Sequence, residues 1–177
     1  MQERHGLSAA EAGTALHLVM QHLNWQGALD AVSISAYINK MVEMELLSEE
    51  QAAAVPVAKI AAFFASPLGV RALRGRKLLR ELPFTLALPA RELYSFDGIN
   101  FDGINTSSGQ LETVTGREDG ADSRAVVIVQ GVIDCLIDEG DGWLLIDYKT
   151  DQVAPGEDDE IAKRYRIQMS IYARAVE

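Results

Sequence analysis

The sequence has few of the residues that several classes of protein require, above all cysteine and basic residues. It contains one cysteine, Cys135, among 177 residues, which excludes an internal disulfide and a zinc or iron–sulfur site with four cysteine ligands. Basic residues number 16 against 26 acidic ones, and the formal net charge is −10. This balance argues against a general basic surface for nucleic acid, although it leaves room for a local basic strip or for carboxylates around a metal.

Long apolar runs are also missing. No stretch reaches the roughly 18–20 residues needed to cross a bilayer, and residues 1–13 lack the apolar core of a secretory signal. Hydrophobic residues still make up 48% and charged residues 24% of the chain, which is a globular composition. We therefore expect a soluble, cytoplasmic protein without a membrane partner, folded as a single domain over residues 1–177.

Hydrophobic spacing divides the chain into a helical portion, residues 1–80, and a strand-rich portion, residues 81–149. The last helix of the first portion is predicted over residues 67–79, starting at a Ser-Pro pair. A polar excursion over residues 95–123 interrupts the strands, and we expect no chemistry from it. A helix over residues 157–177 closes the domain.

The most informative segment is the hairpin over residues 131–150, GVIDCLIDEGDGWLLIDYKT. Its short EGDG turn can join only antiparallel strands. The pairing that this turn imposes puts Asp134 opposite Asp147, with Lys149 on the face of Asp147. Two opposed carboxylates among apolar neighbours repel each other, so a divalent cation bound by both is one interpretation. The other is a structural ion pair with Lys149 at a sheet edge.

Three further features have two interpretations each. An oxygen-rich acid pair favours Mg²⁺ or Mn²⁺ over zinc, and His17, alone on a mostly apolar helix, either packs or joins that site. The stripe of Tyr165, Gln168 and Tyr172 on the last helix either contacts phosphates or packs on the sheet. The basic segment RALRGRKLLR is either a strip that contacts phosphates or a solvated helix face. Its candidate phosphate-contacting residues are Arg71, Arg74, Arg76, Lys77 and Arg80.

Taken in order, GTALH, ELPF, GVID, DYK and YRIQMSIY resemble the motifs of the nuclease domain of RecB-family helicase–nucleases of the AddA type. The match runs from residue 13 to residue 174. It implies the PD-(D/E)XK restriction-endonuclease-like fold, a mixed α/β core sheet flanked by helices, here with a helical N-terminal portion. Because helicase motifs and a nucleotide site are not seen, we expect a C-terminal nuclease domain excised from a larger helicase–nuclease.

The resemblance also implies roles for individual residues. Carried onto this sequence, the family pattern makes Asp134, Asp147 and Lys149 catalytic, and it makes His17, Asp134, Asp147 and the Tyr148 backbone carbonyl metal ligands. Gln168 and Tyr172 match the Q-x-x-x-Y motif, whose members would position the substrate. Glu81 matches an acid that precedes a strand, with a weaker role in positioning.

The activity that the resemblance implies is that of a Mg²⁺- or Mn²⁺-dependent deoxyribonuclease. It would be the exonuclease of a helicase–nuclease complex in double-strand-break end processing and recombinational repair. Its partners would be DNA, the helicase portion of the parent chain, which the basic segment could also contact, and a second subunit. The iron–sulfur cluster of some relatives is not expected, because Cys135 stands alone. Two alternatives stay open: a non-catalytic DNA- or partner-binding domain that keeps the fold, and a magnesium phosphohydrolase for small molecules, which would want a glycine-rich phosphate loop.

Overall fold

The computed structural model describes residues 7–89, 126–150 and 158–177, together with residues 154 and 156. The polar excursion predicted at residues 95–123 therefore lies outside the described residues. Within the part that is described, the structure contains no helix long and apolar enough to cross a membrane.

The chain divides into two compact units. Unit 1 comprises residues 1–80 and 134–151, and unit 2 comprises residues 81–133 and 152–177. The two longest strands of the sheet run through this division, so each contributes a segment to both units.

Unit 1 is mostly helical. Ser8 and Glu11 form a capping box at the start of its first helix: Ser8 Oγ accepts from the Glu11 N–H and a Glu11 carboxylate oxygen accepts from the Ser8 N–H. Pro56 separates the third and fourth helices, because it cannot donate a main-chain hydrogen bond within a continuous helix. The five helices are α1 (Ala9–His22), α2 (Ala31–Glu43), α3 (Glu49–Ala54), α4 (Val57–Ala65) and α5 (Pro67–Ala72).

The sheet has the order β1 (Lys77–Pro89), β2 (Val126–Asp138) and β3 (Trp143–Ile146). Strands β2 and β3 are antiparallel, and their paired residues are Cys135 with Ile146, Leu136 with Leu145, Ile137 with Leu144 and Asp138 with Trp143. This is the register that the EGDG turn predicts. A last helix, α6 (Asp158–Val176), lies in unit 2. The predicted α/β fold class is confirmed.

The predicted helix over residues 67–79 is wrong in its second half. Helix α5 ends at Ala72, and β1 already begins at Lys77. The Arg76 N–H donates to the Asp138 carbonyl at 2.7 Å, so the chain here pairs with the end of β2. Gly75 is tightly packed, because a Cβ added there would overlap the Ile137 side chain. These partners lie far away in the sequence, and the helical pattern could not indicate them.

Each unit has its own hydrophobic core. In unit 1 the apolar faces of α1, α2 and α4 pack with one face of the hairpin, which contributes Cys135, Ile137, Leu144 and Ile146. In unit 2 a smaller cluster is built from Leu88, Val129, Phe84, Leu86, Val127 and Ile171. The hairpin is thus fixed to the helical layer that carries His17.

Candidate metal centre

Asp134 is a charged side chain that the structure buries, at 7% exposure of the residue. It lies on β2 directly before the paired part of the hairpin. One carboxylate oxygen, Oδ2, accepts a hydrogen bond from the Tyr148 main-chain N–H at 2.7 Å. Strand β3 ends at Ile146, so this carboxylate continues the contact between the two arms of the hairpin beyond the last main-chain pair. Such a charge-assisted bond fixes the orientation of the carboxylate.

His17 reaches the same place from α1. Its Nδ1 lies 3.5 Å from Asp134 Oδ1, and its Nε2 lies 3.2 Å from the Tyr148 carbonyl oxygen. In the tautomer that carries the proton on Nε2, this nitrogen donates to the carbonyl, and Nδ1 keeps its lone pair on the side of Asp134. The imidazole therefore bridges a carboxylate and a main-chain carbonyl. An edge-to-face contact with the Tyr148 ring, at 5.9 Å between centroids, also holds it.

Asp147 and Lys149 form a close ion pair. Lys149 Nζ lies 2.7 Å from Asp147 Oδ2, and the Lys149 and Asp147 side chains are 27% and 5% exposed. The Asp147 carboxylate is thus buried, while the Lys149 ammonium group is partly exposed to solvent. A buried carboxylate is stabilised by a positive partner of this kind. The ammonium group is held at a defined point beside the hairpin acids.

Tyr148 stands between these two residues, with its side chain in the hydrophobic core of unit 1. Burial raises the pKa of its phenol, and burial likewise raises the pKa of the neighbouring Cys135 thiol to about 11. Cys135 is therefore a neutral thiol near neutral pH, and it is neither a nucleophile nor a thiolate ligand. Among the described residues, the Tyr148 hydroxyl oxygen is buried without a hydrogen-bond partner.

The donor atoms of this place fit a hard divalent cation. Asp134 supplies a carboxylate oxygen and His17 an imidazole nitrogen within 4.8 Å of each other, and Tyr148 supplies a carbonyl oxygen 3.2 Å from the imidazole. Mg²⁺ prefers oxygen ligands at octahedral positions, and Mn²⁺ takes oxygen with imidazole. The described pairs end at Cys135 with Ile146, and the same register continued by one residue would set Asp147 across from Asp134. We call Asp134, Asp147, His17 and the Tyr148 carbonyl the candidate metal centre.

Two of the predicted substrate-positioning residues are brought together in unit 2. Gln168 Nε2 donates to the Tyr172 hydroxyl at 2.6 Å, one turn further along α6. Tyr172 is 8% exposed and packs edge-to-face on Phe84 at 5.5 Å. It thus packs on the sheet and also bonds the glutamine of its motif. Glu81, the third residue, is half-buried in β1 with a φ of 49°, a left-handed conformation that is uncommon outside glycine.

The structure spreads the basic segment over several environments. Arg71 donates to both carboxylate oxygens of Glu139 at 2.7 and 2.6 Å, which raises the arginine pKa and lowers the pKa of the glutamate. Arg80 donates to the carbonyls of Met20 and Leu23 at 3.0 and 2.7 Å, at the end of α1. The charge on Arg71 is offset and that on Arg80 is turned inward.

The other three basic side chains of the segment are exposed to solvent: Arg74, Arg76 and Lys77. Sequence reasoning missed Glu139 and the α1 carbonyls as partners, since neither has a local signal. It also missed the Tyr148 N–H as the donor that holds Asp134, which the register could have indicated.

Comparisons with known proteins agree on one family. The family model of the PD-(D/E)XK nuclease superfamily matches residues 1–177. The chain is 53% identical over 177 residues to an ATP-dependent helicase/nuclease subunit of Pelotomaculum thermopropionicum, covering 100% of this chain and 12% of the relative. The protein of the same name from Desulforamulus reducens is 44% identical, and that from Geobacillus kaustophilus is 45% identical. Each match covers all of this chain, and it covers 12% of the first relative and 13% of the second.

The chain therefore spans about an eighth of the length of these relatives. The match over its whole length, together with the α/β fold, makes the family plain: the chain belongs to the PD-(D/E)XK nuclease superfamily.

Proposed function

We propose that the chain is a Mg²⁺- or Mn²⁺-dependent deoxyribonuclease that hydrolyses phosphodiester bonds. The observation that carries the proposal is the meeting of Asp134, His17 and the Tyr148 main chain, with Lys149 held on Asp147 beside them. Two carboxylates, one imidazole and one ammonium group suit a reaction in which water attacks a phosphate and negative charge grows on its oxygens.

The bound cation would supply charge for the scissile phosphate and lower the pKa of attacking water. Asp134, Asp147, His17 and the Tyr148 carbonyl would hold it. The Tyr148 N–H fixes the Asp134 carboxylate before any cation arrives, because it occupies Oδ2 and leaves Oδ1 turned toward His17. Preformed ligands of this kind reduce the reorganisation that binding would otherwise require.

Lys149 would act next to the cation. Its ammonium group, held by Asp147 at 2.7 Å, can orient the attacking water or stabilise the charge that accumulates on the phosphorane. Removing one such group from a preorganised site typically costs about 10²–10³ in kcat. Gln168 and Tyr172, joined by their hydrogen bond, would position the DNA strand, with Glu81 in a lesser role.

The names of the relatives support a setting for this activity. They are ATP-dependent helicase/nuclease subunits, about eight times longer than this chain. We infer that the chain is the nuclease region of a protein of this kind and works with the helicase portion and a second subunit. Double-strand-break end processing and recombinational repair, in the cytoplasm, would be its role. An exonuclease fits a nuclease that receives strands from a helicase.

The alternative is a DNA- or partner-binding domain that keeps the nuclease fold without catalysis. The residues present count against it, because His17 is paired with Asp134 and Lys149 is paired with Asp147. A domain released from catalysis has no reason to bury the Asp134 carboxylate, since burial of a charge costs free energy unless it is compensated.

The test is cleavage of linear single- and double-stranded DNA with Mg²⁺ or Mn²⁺. Asp147→Ala and Lys149→Ala should each lower the cleavage rate by about 10²–10³ and keep the circular dichroism of the parent. Asp141→Ala, in the exposed hairpin turn, and Lys59→Ala, on the exposed side of α4, are the matched controls and should cleave normally. Cleavage by Lys149→Ala at the parent rate would remove that residue from the mechanism. No cleavage by the parent under any of these conditions would favour the non-catalytic alternative.

A further inference from the structure

Tyr148 serves the candidate metal centre with both groups of its main chain. Its N–H donates to Asp134 Oδ2 at 2.7 Å, and its carbonyl oxygen lies 3.2 Å from His17 Nε2. Asp147 and Lys149, which form the 2.7 Å ion pair, are its immediate neighbours in the chain. A shift of this one residue would therefore break the contacts that Asp134 and His17 make with it, and it would move Asp147 and Lys149 as well.

No main-chain ladder holds Tyr148 in place. Strand β3 ends two residues earlier, at Ile146, and residues 147–150 have no regular secondary structure. Besides its bonds to Asp134 and His17, what fixes this residue is its side chain. The ring packs into the core of unit 1, with edge-to-face contacts to Phe63 at 6.4 Å and to His17 at 5.9 Å between centroids.

The hydroxyl group contributes nothing comparable. Its oxygen is buried next to the Cys135 thiol, a weak hydrogen-bonding group, and among the described residues it has no partner at full hydrogen-bonding geometry. Burial of an unsatisfied polar group costs free energy. The useful part of the side chain is therefore the ring, as an apolar anchor, and not the phenol as a proton donor.

We propose that the Tyr148 ring is a positioning element for the metal centre: anchored in the core, it sets the main-chain N–H and carbonyl at which Asp134 and His17 meet. The inference rests on the proposed function, because it names the residue that preorganises the same site. Groups that orient metal ligands from behind typically change metal affinity by about 10–100-fold when removed.

The variants separate anchoring from general core packing. Tyr148→Phe keeps the ring, so it should keep the parent's Mn²⁺ affinity, and Tyr148→Ala should weaken it by about 10–100-fold. Phe64→Ala removes a buried ring of the same core that packs on Trp25 and Phe63. It should lose stability while keeping Mn²⁺ affinity close to that of the parent.

Mn²⁺ binding is measured by electron paramagnetic resonance of the free ion, at a temperature where circular dichroism shows every variant folded. Parent-like affinity in Tyr148→Ala would overturn the proposal, and so would an equal loss of affinity in Phe64→Ala. The loss in Tyr148→Ala with rescue in Tyr148→Phe would support it.

A second measurement needs neither metal nor catalysis. Hydrogen exchange of the residue 148 amide reports the bond to Asp134 directly. The amide should be protected in the parent and in Tyr148→Phe, and it should exchange faster in Tyr148→Ala than in Phe64→Ala. If the parent bound no Mn²⁺ at all, the proposed function would fail, and the order of these exchange rates would still decide whether the ring positions the main chain.

Discussion

We expect Asp134 to link the stability of the molecule to divalent cations. Its carboxylate is buried beside His17 and already oriented by the Tyr148 N–H. A cation that binds only the native state adds about 2.7 kcal/mol to the free energy of unfolding at a hundredfold excess over Kd. We expect Mg²⁺ or Mn²⁺ to raise the melting temperature of the parent, and Asp134→Asn to reduce that rise.

Asp141→Asn, in the exposed turn of the same hairpin, is the control and should respond to cations like the parent. Calorimetry with and without the cation makes the comparison. A melting temperature that cations leave unchanged in the parent would argue against a preformed site.

Arg80 and Arg74 are predicted to differ although both belong to the basic segment. Arg80 donates to two carbonyls at the end of α1, and hydrogen bonds from charged groups contribute about 1.5–3 kcal/mol. Arg80→Gln should therefore lower the free energy of unfolding by that amount and leave DNA binding unchanged. Arg74 is exposed. Arg74→Gln should leave stability unchanged and reduce the slope of log K against log salt by about 0.7–0.9.

Urea denaturation and metal-free DNA titrations across a salt series separate the two effects. A reduced slope for Arg80→Gln at unchanged stability would reverse the assignment.

The residues of the hairpin could be predicted because their relation is local. The turn alone fixes the pairing of Cys135 with Ile146 and of the residues nearer the turn. The same register predicts Asp147 across from Asp134, and the alternation of side chains assigns Lys149 to the face of Asp147. His17 could not be connected to them from spacing, because 131 residues separate it from Tyr148. Only the ordered motifs of the family linked the two. The hydrogen bonds of Arg80 to the α1 carbonyls could not be predicted from the sequence. A run of basic residues looks the same whether its partners are phosphates or main-chain carbonyls.

At the scale of elements, the ion pair between Arg71 and Glu139 joins α5 to the hairpin turn. Its bonds hold the pKa of the Glu139 carboxyl below the ordinary value of 4.5. A carboxyl whose pKa is lower in the folded state stabilises the fold above the unfolded pKa, and this contribution is lost as pH falls through the folded value.

The free energy of unfolding of the parent should therefore exceed that of Glu139→Gln by a constant amount above pH 4.5. That difference should shrink as the pH falls below 4.5. Glu11 and Asp30 have pKa values lowered by helix-capping bonds, and because both proteins keep them they cancel in the comparison. A difference independent of pH would mean that the pair contributes nothing to stability.

Helices and strands were predicted well where local sequence signals determine them. They were predicted less well where pairing with a distant segment determines them. The β2–β3 register followed from the turn, and the last helix was expected over 157–177 and runs over Asp158–Val176. Helix α5 was predicted to be too long, because the chain leaves the helix to bond with Asp138 at the end of β2. A helical pattern carries no information about a strand partner that lies about sixty residues away.

At the scale of the whole molecule, overall charge and the proposed substrate oppose each other. A net charge of −10 repels DNA at long range, while the exposed cations of the basic segment are few. We expect the chain alone to bind DNA weakly and with a shallow salt dependence, since each phosphate contact adds only about 0.7–0.9 to the slope.

The same region within a full-length helicase/nuclease protein should bind more tightly, because the additional polypeptide would deliver the strand. Parallel titrations of both proteins, without metal, make the comparison. Equal affinity would show that the chain needs no help to capture DNA.

The geometry of the candidate metal centre also implies an order of assembly during folding. The contact between Tyr148 and Asp134 closes a loop of 14 residues, whereas that between His17 and Tyr148 spans 131 residues. Hairpins close in about 1–10 μs, and contacts across long separations form later because more chain entropy is lost at once. The two acids should thus face each other before α1 docks. The histidine would be the last ligand to arrive, and a cation bound early would be held by the hairpin alone.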